Sequence, residues 1–284
     1  MVIVTGATGR LGSLVVDRLL ERIPAEEIGV TVRDATKAAA LAERGVRVRE
    51  GDFTRPETLE HAFEGAEKVL VVSASLVGET AIRANGAAVD AARAAGAQRI
   101  LYTSHQAAAE DSLFLPQPVH AACEQHLSRQ GVPFTALRNG FYASTLGHYV
   151  GTAAKTGVLA LPEDGPVSWT AHEDLAEAAA IALTKDGVLD GVTPPLTATR
   201  TYDFARIAEL IGEMTGTSVE RLVVSDEDWV QGAVDGGMPR PAAEFALTMF
   251  TAARRGEFAV TDPTLESVLG RPATPVREVL ARYI

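Results

Sequence analysis

An α/β fold with a doubly wound parallel sheet is predicted by three observations. Short apolar runs alternate with helical patterns through the first half of the 284-residue chain. The first run, Val2-Ile3-Val4, leads directly into the turn Thr5-Gly6-Ala7-Thr8-Gly9-Arg10-Leu11-Gly12. An amphipathic helix then begins, with Leu11, Leu14, Val15 and Leu19 on one face. Such alternation means βαβ units, with a parallel sheet covered on both faces.

Each element has its own warrant. Strands are expected at Val2–Thr5, Ile28–Val32, Val46–Val48, Val69–Val72, Ile100–Thr103 and Phe134–Leu137, the runs richest in β-branched and apolar residues. Helices are expected near residues 11–22, 36–43, 56–63, 79–95 and 117–129; Thr54 ahead of Pro56 is a start signal for the third. Past residue 140 the pattern loosens. Residues 157–166 read as a short strand and turn, and 174–183 as a helix whose start, His172-Glu173-Asp174, puts acids at the positive dipole end. Residues 192–284 contain further helices broken by Pro194-Pro195, Gly236-Gly237, Pro239, Pro241, Pro263 and Pro272. The expected organisation is a Rossmann-type domain over residues 1–140, with 167–190 contributing to it. A smaller, mostly helical lobe over 141–284 is interleaved with that domain.

Composition narrows the function. Hydrophobic residues make up 46% of the chain and aromatic residues 6%. The formal net charge is −11, so nucleic acid and anionic membrane are not expected partners, and an anionic ligand needs a local basic cluster. Cys123 is the only cysteine, which excludes an intrachain disulfide and a cysteine-based metal cluster. No apolar run reaches the length of a membrane span, and the N-terminus lacks a signal-peptide pattern. A cytoplasmic protein is expected. Oligomeric state is left open, with a homodimer admitted.

Ligands on a doubly wound sheet bind where the strands end. A strand closing in a glycine turn that opens a helix aims backbone N–H groups and the helix dipole at one point, an arrangement that suits a pyrophosphate. Gly6, Ala7, Thr8, Gly9, Arg10, Leu11 and Gly12 are therefore the first candidates. After the second strand stand Arg33, Asp34 and, further on, Lys37. A guanidinium holds a 2′-phosphate through a bidentate fork, so Arg33 favours NADP(H), with Arg10 as a candidate second cation. The alternative gives the ribose to Asp34 and makes the cofactor NAD. Asp52 and Phe53 follow the third strand, where a carboxylate and a ring suit an adenine. Ser73-Ala74-Ser75 ends the fourth with small residues that let a ribose and phosphate pass near the backbone.

Together with Tyr102-Thr103-Ser104 and Leu137-Arg138-Asn139-Gly140-Phe141-Tyr142, these segments resemble the atypical short-chain dehydrogenases/reductases. Within that group the chain is most similar to the NmrA-like branch of quinone and triphenylmethane reductases. The resemblance runs the length of the chain. It implies that residues 6–11, Arg33, 73–75 and Asn139, Gly140, Phe141 and Tyr142 line an NADPH site, to which Thr103 and Ser104 are added. One departure is informative. Members that oxidise alcohols use a Tyr-x-x-x-Lys pair, but those places hold Pro116 and His120 here. A quinone or conjugated dye accepts hydride into a delocalised system and has less need of that acid–base pair. The reading is an NADPH-dependent reductase of quinones or similar electron-poor aromatics. The alternative is an NADP(H)-sensing regulator without turnover; a sugar epimerase or dehydratase is disfavoured.

His120 is the candidate catalytic residue, as proton donor or polar contact. It lies four residues before Glu124 on one helical face, and a simple bond to Glu124 is the competing role. Cys123 reads as a small buried hydrophobe. The six histidines lack zinc-site spacing and Gly-x-Ser-x-Gly is absent. Trp169 and Trp229 are candidates for an aromatic pocket or for plain core.

Overall fold

The computed structural model describes residues 1–284. The N-terminal half strings strands and helices alternately: β1 (Val2–Thr5), α1 (Arg10–Leu20), β2 (Ile28–Val32), α2 (Ala39–Glu43), β3 (Arg47–Glu50), α3 (Leu59–Phe63), β4 (Lys68–Val71), α4 (Gly78–Ala94), β5 (Arg99–His105), α5 (Pro116–Ser128) and β6 (Phe134–Asn139). The second half contains α6 (Gly147–Thr156), β7 (Val158–Leu161), α7 (His172–Thr184), β8 (Gly191–Val192), α8 (Phe204–Thr215), β9 (Glu220–Val223), α9 (Asp226–Asp235), α10 (Arg240–Arg254), α11 (Thr264–Leu269) and α12 (Val276–Leu280).

Seven strands form one parallel sheet in the order β3-β2-β1-β4-β5-β6-β8. The chain winds outward from β1 to one edge, then returns and winds to the other. That reversal between β1 and β4 is where a doubly wound sheet opens a crevice at its strand ends. Buried strands need apolar residues on both faces, and all five residues of β2 are buried. Helix α1 and, much later in the chain, α7 cover one face through Val15, Val16, Leu19, Leu175 and Ala179. Helices α3, α4 and α5 cover the other through Phe63, Val89, Val119 and Leu127.

Residues 172–192 thus return to the sheet after an excursion into a second lobe. That lobe has its own core, built on Phe141, Trp169, Phe204, Phe250 and Phe258. The strand read within residues 157–166 is β7, but the two-residue strand β8 and the strand β9 that pairs with β7 have no counterpart in the sequence reading. They are too short to show a period of two, and β9 is largely exposed, so no apolar run marks either one. Strand β5 also runs two residues past its expected end. Ser104 and His105 pair with Arg138 and Asn139 of β6, which prolongs the ladder beyond its apolar stretch. No helix is long and apolar enough to cross a membrane.

Candidate active site

A groove of about 460 Å³ lies over the ends of β1–β4. Its floor is the glycine turn. Gly6 has φ +61°, a left-handed conformation that a side chain would strain, and its carbonyl accepts from Gly9 N at 2.9 Å. A Cβ on Gly12 would come within 2.3 Å of Gly6 O, so α1 can cross the turn this closely only with glycine there. Gly9 caps α1 without a side-chain hydrogen bond, and the amides of Thr8, Arg10 and Leu11 find no acceptor in the protein. The side chains of Ala7 and Leu11 point into the core, leaving the backbone to face the groove. This cradle of free N–H groups at a helix start fits a pyrophosphate.

The adenosine end is equally open. Arg33 and Lys37 are exposed and pair with no acidic group, and Arg33 lines the groove. Asp34, the competing ribose ligand, spends its Oδ1 on Thr36 N at 3.0 Å and Thr36 Oγ1 at 2.6 Å. Those bonds hold its carboxyl below its usual range. Asp52 does the same with Thr54 N and Oγ1, at 2.9 and 2.8 Å, so it shapes its own turn and leaves Oδ2 toward Arg55, 3.8 Å away. Phe53 and Ser73, Ala74 and Ser75 line the groove as well. Buried Thr31 lines it too, and its Oγ1 has no partner. A free guanidinium, free amides and an unpartnered buried hydroxyl fit a phosphorylated dinucleotide.

Several expected site residues do other work. The guanidinium of Arg10 donates to the Tyr283 hydroxyl at 2.9 Å, and Arg10 does not line the groove. It stands near His172, whose protonation it opposes. Thr103 is buried and its Oγ1 accepts from Ser73 N at 2.8 Å, so it holds the 73–75 turn from behind. Ser104 is buried too, its Oγ donating to Glu124 Oε1 at 2.5 Å. Both point inward because β5 is an interior strand with covered faces. Phe141 packs edge-on against Trp169 and Phe258 in the second-lobe core. Trp169 is itself core, with its indole N–H on Tyr202 O at 3.0 Å, and Trp229 packs on Phe250.

Asn139, Gly140 and Tyr142 stand at the end of β6 and do not line the groove. Gly140 is obligatory because a Cβ would meet Thr170 Oγ1 at 2.2 Å. Asn139 is buried and its Oδ1 is unpartnered. Tyr142 stacks on His172 at 4.1 Å between ring centroids. Burial, with Arg10 adding to it, takes His172 down to about 4.

His120 does not bond Glu124. That carboxylate is taken by Ser104 and by a two-pronged contact from Arg138, at 2.9 and 2.7 Å, because a buried carboxylate is stable only with a cation and full hydrogen bonding. His120 turns to Tyr102, whose hydroxyl is 3.0 Å from its Nδ1. Burial takes His120 down to about 4 and pushes the Tyr102 phenol well up, so both are neutral near pH 7. His105 lies parallel to His120, ring centroids 6.2 Å apart, and meets the Gln117 amide through Nδ1. Phe114, Phe141 and Phe258 close around His105. The sequence reading passed over Tyr102, His105, Phe114 and Gln117 as functional residues. One signal was available. Tyr102 and Ser104 share a strand face, His120 and Glu124 share a helix face, and the two pairs meet.

Comparison with known proteins gives one consistent result. The NmrA-like family pattern matches residues 1–279. Quinone oxidoreductase 2 of Escherichia coli (strain K12) is 31% identical over 279 residues, covering 98% of this chain and 96% of that protein. NAD(P)H azoreductase of Xenophilus azovorans is 31% identical over 280 residues, with 98% and 96% covered. The crystal structure of the Citrobacter sp. triphenylmethane reductase complexed with NADP(H) matches with a TM-score of 0.94 at 33% identity, over 100% of both chains. The groove, the sheet order and these full-length likenesses agree, and the chain belongs to the NmrA-like family.

Proposed function

We infer that the chain is an NADPH-dependent oxidoreductase that reduces quinones or similar flat, electron-poor aromatics. The observation that carries this reading is the free Arg33 beside an Asp34 already engaged by Thr36, at the mouth of a groove floored by unpaired amides. A 2′-phosphate finds a partner there that a bare ribose does not need. Full-length relatives named as reductases, one of them solved with NADP(H), support both cofactor and reaction class.

When bound, NADPH supplies a hydride. The protein's own groups have four tasks. Arg33, with Lys37 near it, takes the phosphate charge; the amides of Thr8, Arg10 and Leu11 take the pyrophosphate. The 73–75 turn is fixed by Thr103 and by Asn85, whose Oδ1 accepts from Ala74 N at 2.9 Å. Asn139 and Tyr142 shape the inner end, and the rings of Phe114 and Phe258 exclude water there. His120 is a polar contact for the acceptor. With Pro116 and His120 in place of a Tyr-x-x-x-Lys pair, no strong general acid stands at the site, which suits an acceptor that delocalises the incoming electrons. A cytoplasmic location and a homodimer complete the proposal.

The test follows loss of NADPH absorbance with purified protein and menadione, beside NADH and a control without acceptor. NADPH-preferring turnover supports the reading. Tight NADPH binding with no turnover across quinones and dyes would replace it with a sensor.

A further inference from the structure

The two parallel imidazoles, His105 and His120, have a feature in common that a lone polar contact would not require. Each Nδ1 is engaged by a buried neutral partner: Tyr102 for His120 and Gln117 for His105. Each Nε2 has no partner in the protein, yet neither is among the buried unpartnered atoms, so both keep some exposure, His105 at the C-terminal end of β5 where a doubly wound sheet binds its ligands. No carboxylate or cation touches either ring. His120 faces Tyr102 and His105. His105 faces His120, Gln117, Phe114, Phe141 and Phe258. Glu124, the nearest acid on the same helix, is held by Ser104 and Arg138.

The proton positions follow from chemistry. A phenol is the better acid and an imidazole nitrogen the better base, so the Tyr102 O–H donates to His120 Nδ1 and the ring proton sits on Nε2. Gln117 donates one amide N–H to His105 Nδ1, which again puts the ring proton on Nε2.

We propose that His105 and His120 form a neutral two-donor wall that binds the oxygen atoms of the acceptor, with Tyr102 and Gln117 as positioning residues that fix the Nε2–H tautomers. This rests on the reductase reading and deepens it. The wall favours carbonyl-bearing acceptors, whose oxygens gain negative charge on reduction, over cationic dyes that offer no oxygen. The imidazoles donate hydrogen bonds and give up no proton. Neutral donors aimed where charge develops are effective in a site closed by rings, because low polarity strengthens them and they need no reorganisation.

Two measurements decide it. The first compares kcat/KM for menadione and for an oxygen-free cationic triphenylmethane dye in His120→Phe and His105→Phe variants. Menadione should lose roughly ten- to hundredfold per variant, as for a hydrogen bond to a charged oxygen, and the dye far less. Equal losses on both acceptors would overturn the wall. The second needs no turnover: nitrogen NMR of the imidazoles in the cofactor-free protein. The wild type should show a bare Nδ1 and a protonated Nε2 on both rings, and Tyr102→Phe should mix the His120 tautomers while lowering menadione turnover relative to the dye. A protonated His120 Nδ1 in the wild type would also overturn the proposal. Were no acceptor reduced at all, the reductase reading would fall and the acceptor role with it, while the NMR result would still judge the tautomers.

Discussion

The groove over β1–β4 and the wall at the end of β5 and β6 handle charge in opposite ways. The groove is open and polar. It presents free backbone amides and an unpaired guanidinium, suited to a ligand that carries several negative charges and must come and go. The wall is half closed by rings, and its two histidines are stripped of charge by burial. Affinity in the first comes from full charges that salt can screen, whereas selectivity in the second comes from dipoles that salt barely reaches. One molecule therefore separates holding its reductant from choosing its acceptor.

The largest expected effect would break the groove. Gly12→Val places a side chain on the Gly6 carbonyl, where only backbone can yield. We expect a loss of about 3 kcal/mol in denaturant unfolding and of measurable NADPH binding, since overpacking against fixed backbone is costly. Unchanged stability and affinity would show that α1 is free to lift off the turn.

A similar loss is expected on acidification. His172 is buried and its pKa falls from 6.5 to about 4, with Tyr142, Ser144, Arg10 and Glu173 facing it. The unfolded chain takes up a proton first, so the stabilisation is complete above the ordinary histidine range and is lost as pH falls toward 4. The size is on the order of 3 kcal/mol for this group. Thermal unfolding across that window should show the slope, and His172→Gln should lessen it, with buried His105 and His120 supplying the rest; a slope untouched by that change would assign it wholly to other groups.

Arg33→Asp sharpens the division of labour. It should raise the KM for NADPH roughly ten- to hundredfold and leave kcat nearly unchanged, because a charge-assisted contact remote from the acceptor is lost. A fall mainly in kcat would mean that groove and wall are coupled. The smallest effect belongs to Tyr283→Phe, which removes the Arg10 contact and should cost no more than about 1 kcal/mol in thermal or denaturant unfolding.

The groove was legible in the sequence because its information is local. Three glycines at fixed spacing, a strand before them and Arg33 directly after the second strand all lie within the first 33 residues. Its cofactor chemistry is carried by backbone, which glycine spacing reports. The wall was not legible for the opposite reason. His105, Phe114, Phe141 and Phe258 come from four separate segments, and only the second lobe's packing brings them together. Arg10 shows the limit of proximity arguments. It sits inside the glycine turn, yet its long side chain reaches a tyrosine 273 positions away. Glu124 shows a second limit: four residues from His120 on one helix face, it answers to Arg138 because a buried carboxylate seeks a cation before a neutral ring.

The sheet order also sets a timetable for synthesis. As the chain emerges, every new strand finds its neighbour already made: β2 beside β1, β3 beside β2, then β4, β5 and β6 in turn on the other flank. The nucleotide half is therefore wound by the time Asn139 leaves the ribosome. Its α1-side face still lacks α7, which supplies Leu175, Ala179 and Leu183 to that core. At ordinary elongation rates that face stays uncovered for a few seconds while the second lobe is made. This interval is when a nascent chain of this topology most needs a chaperone, and when a bound nucleotide could begin to steady it.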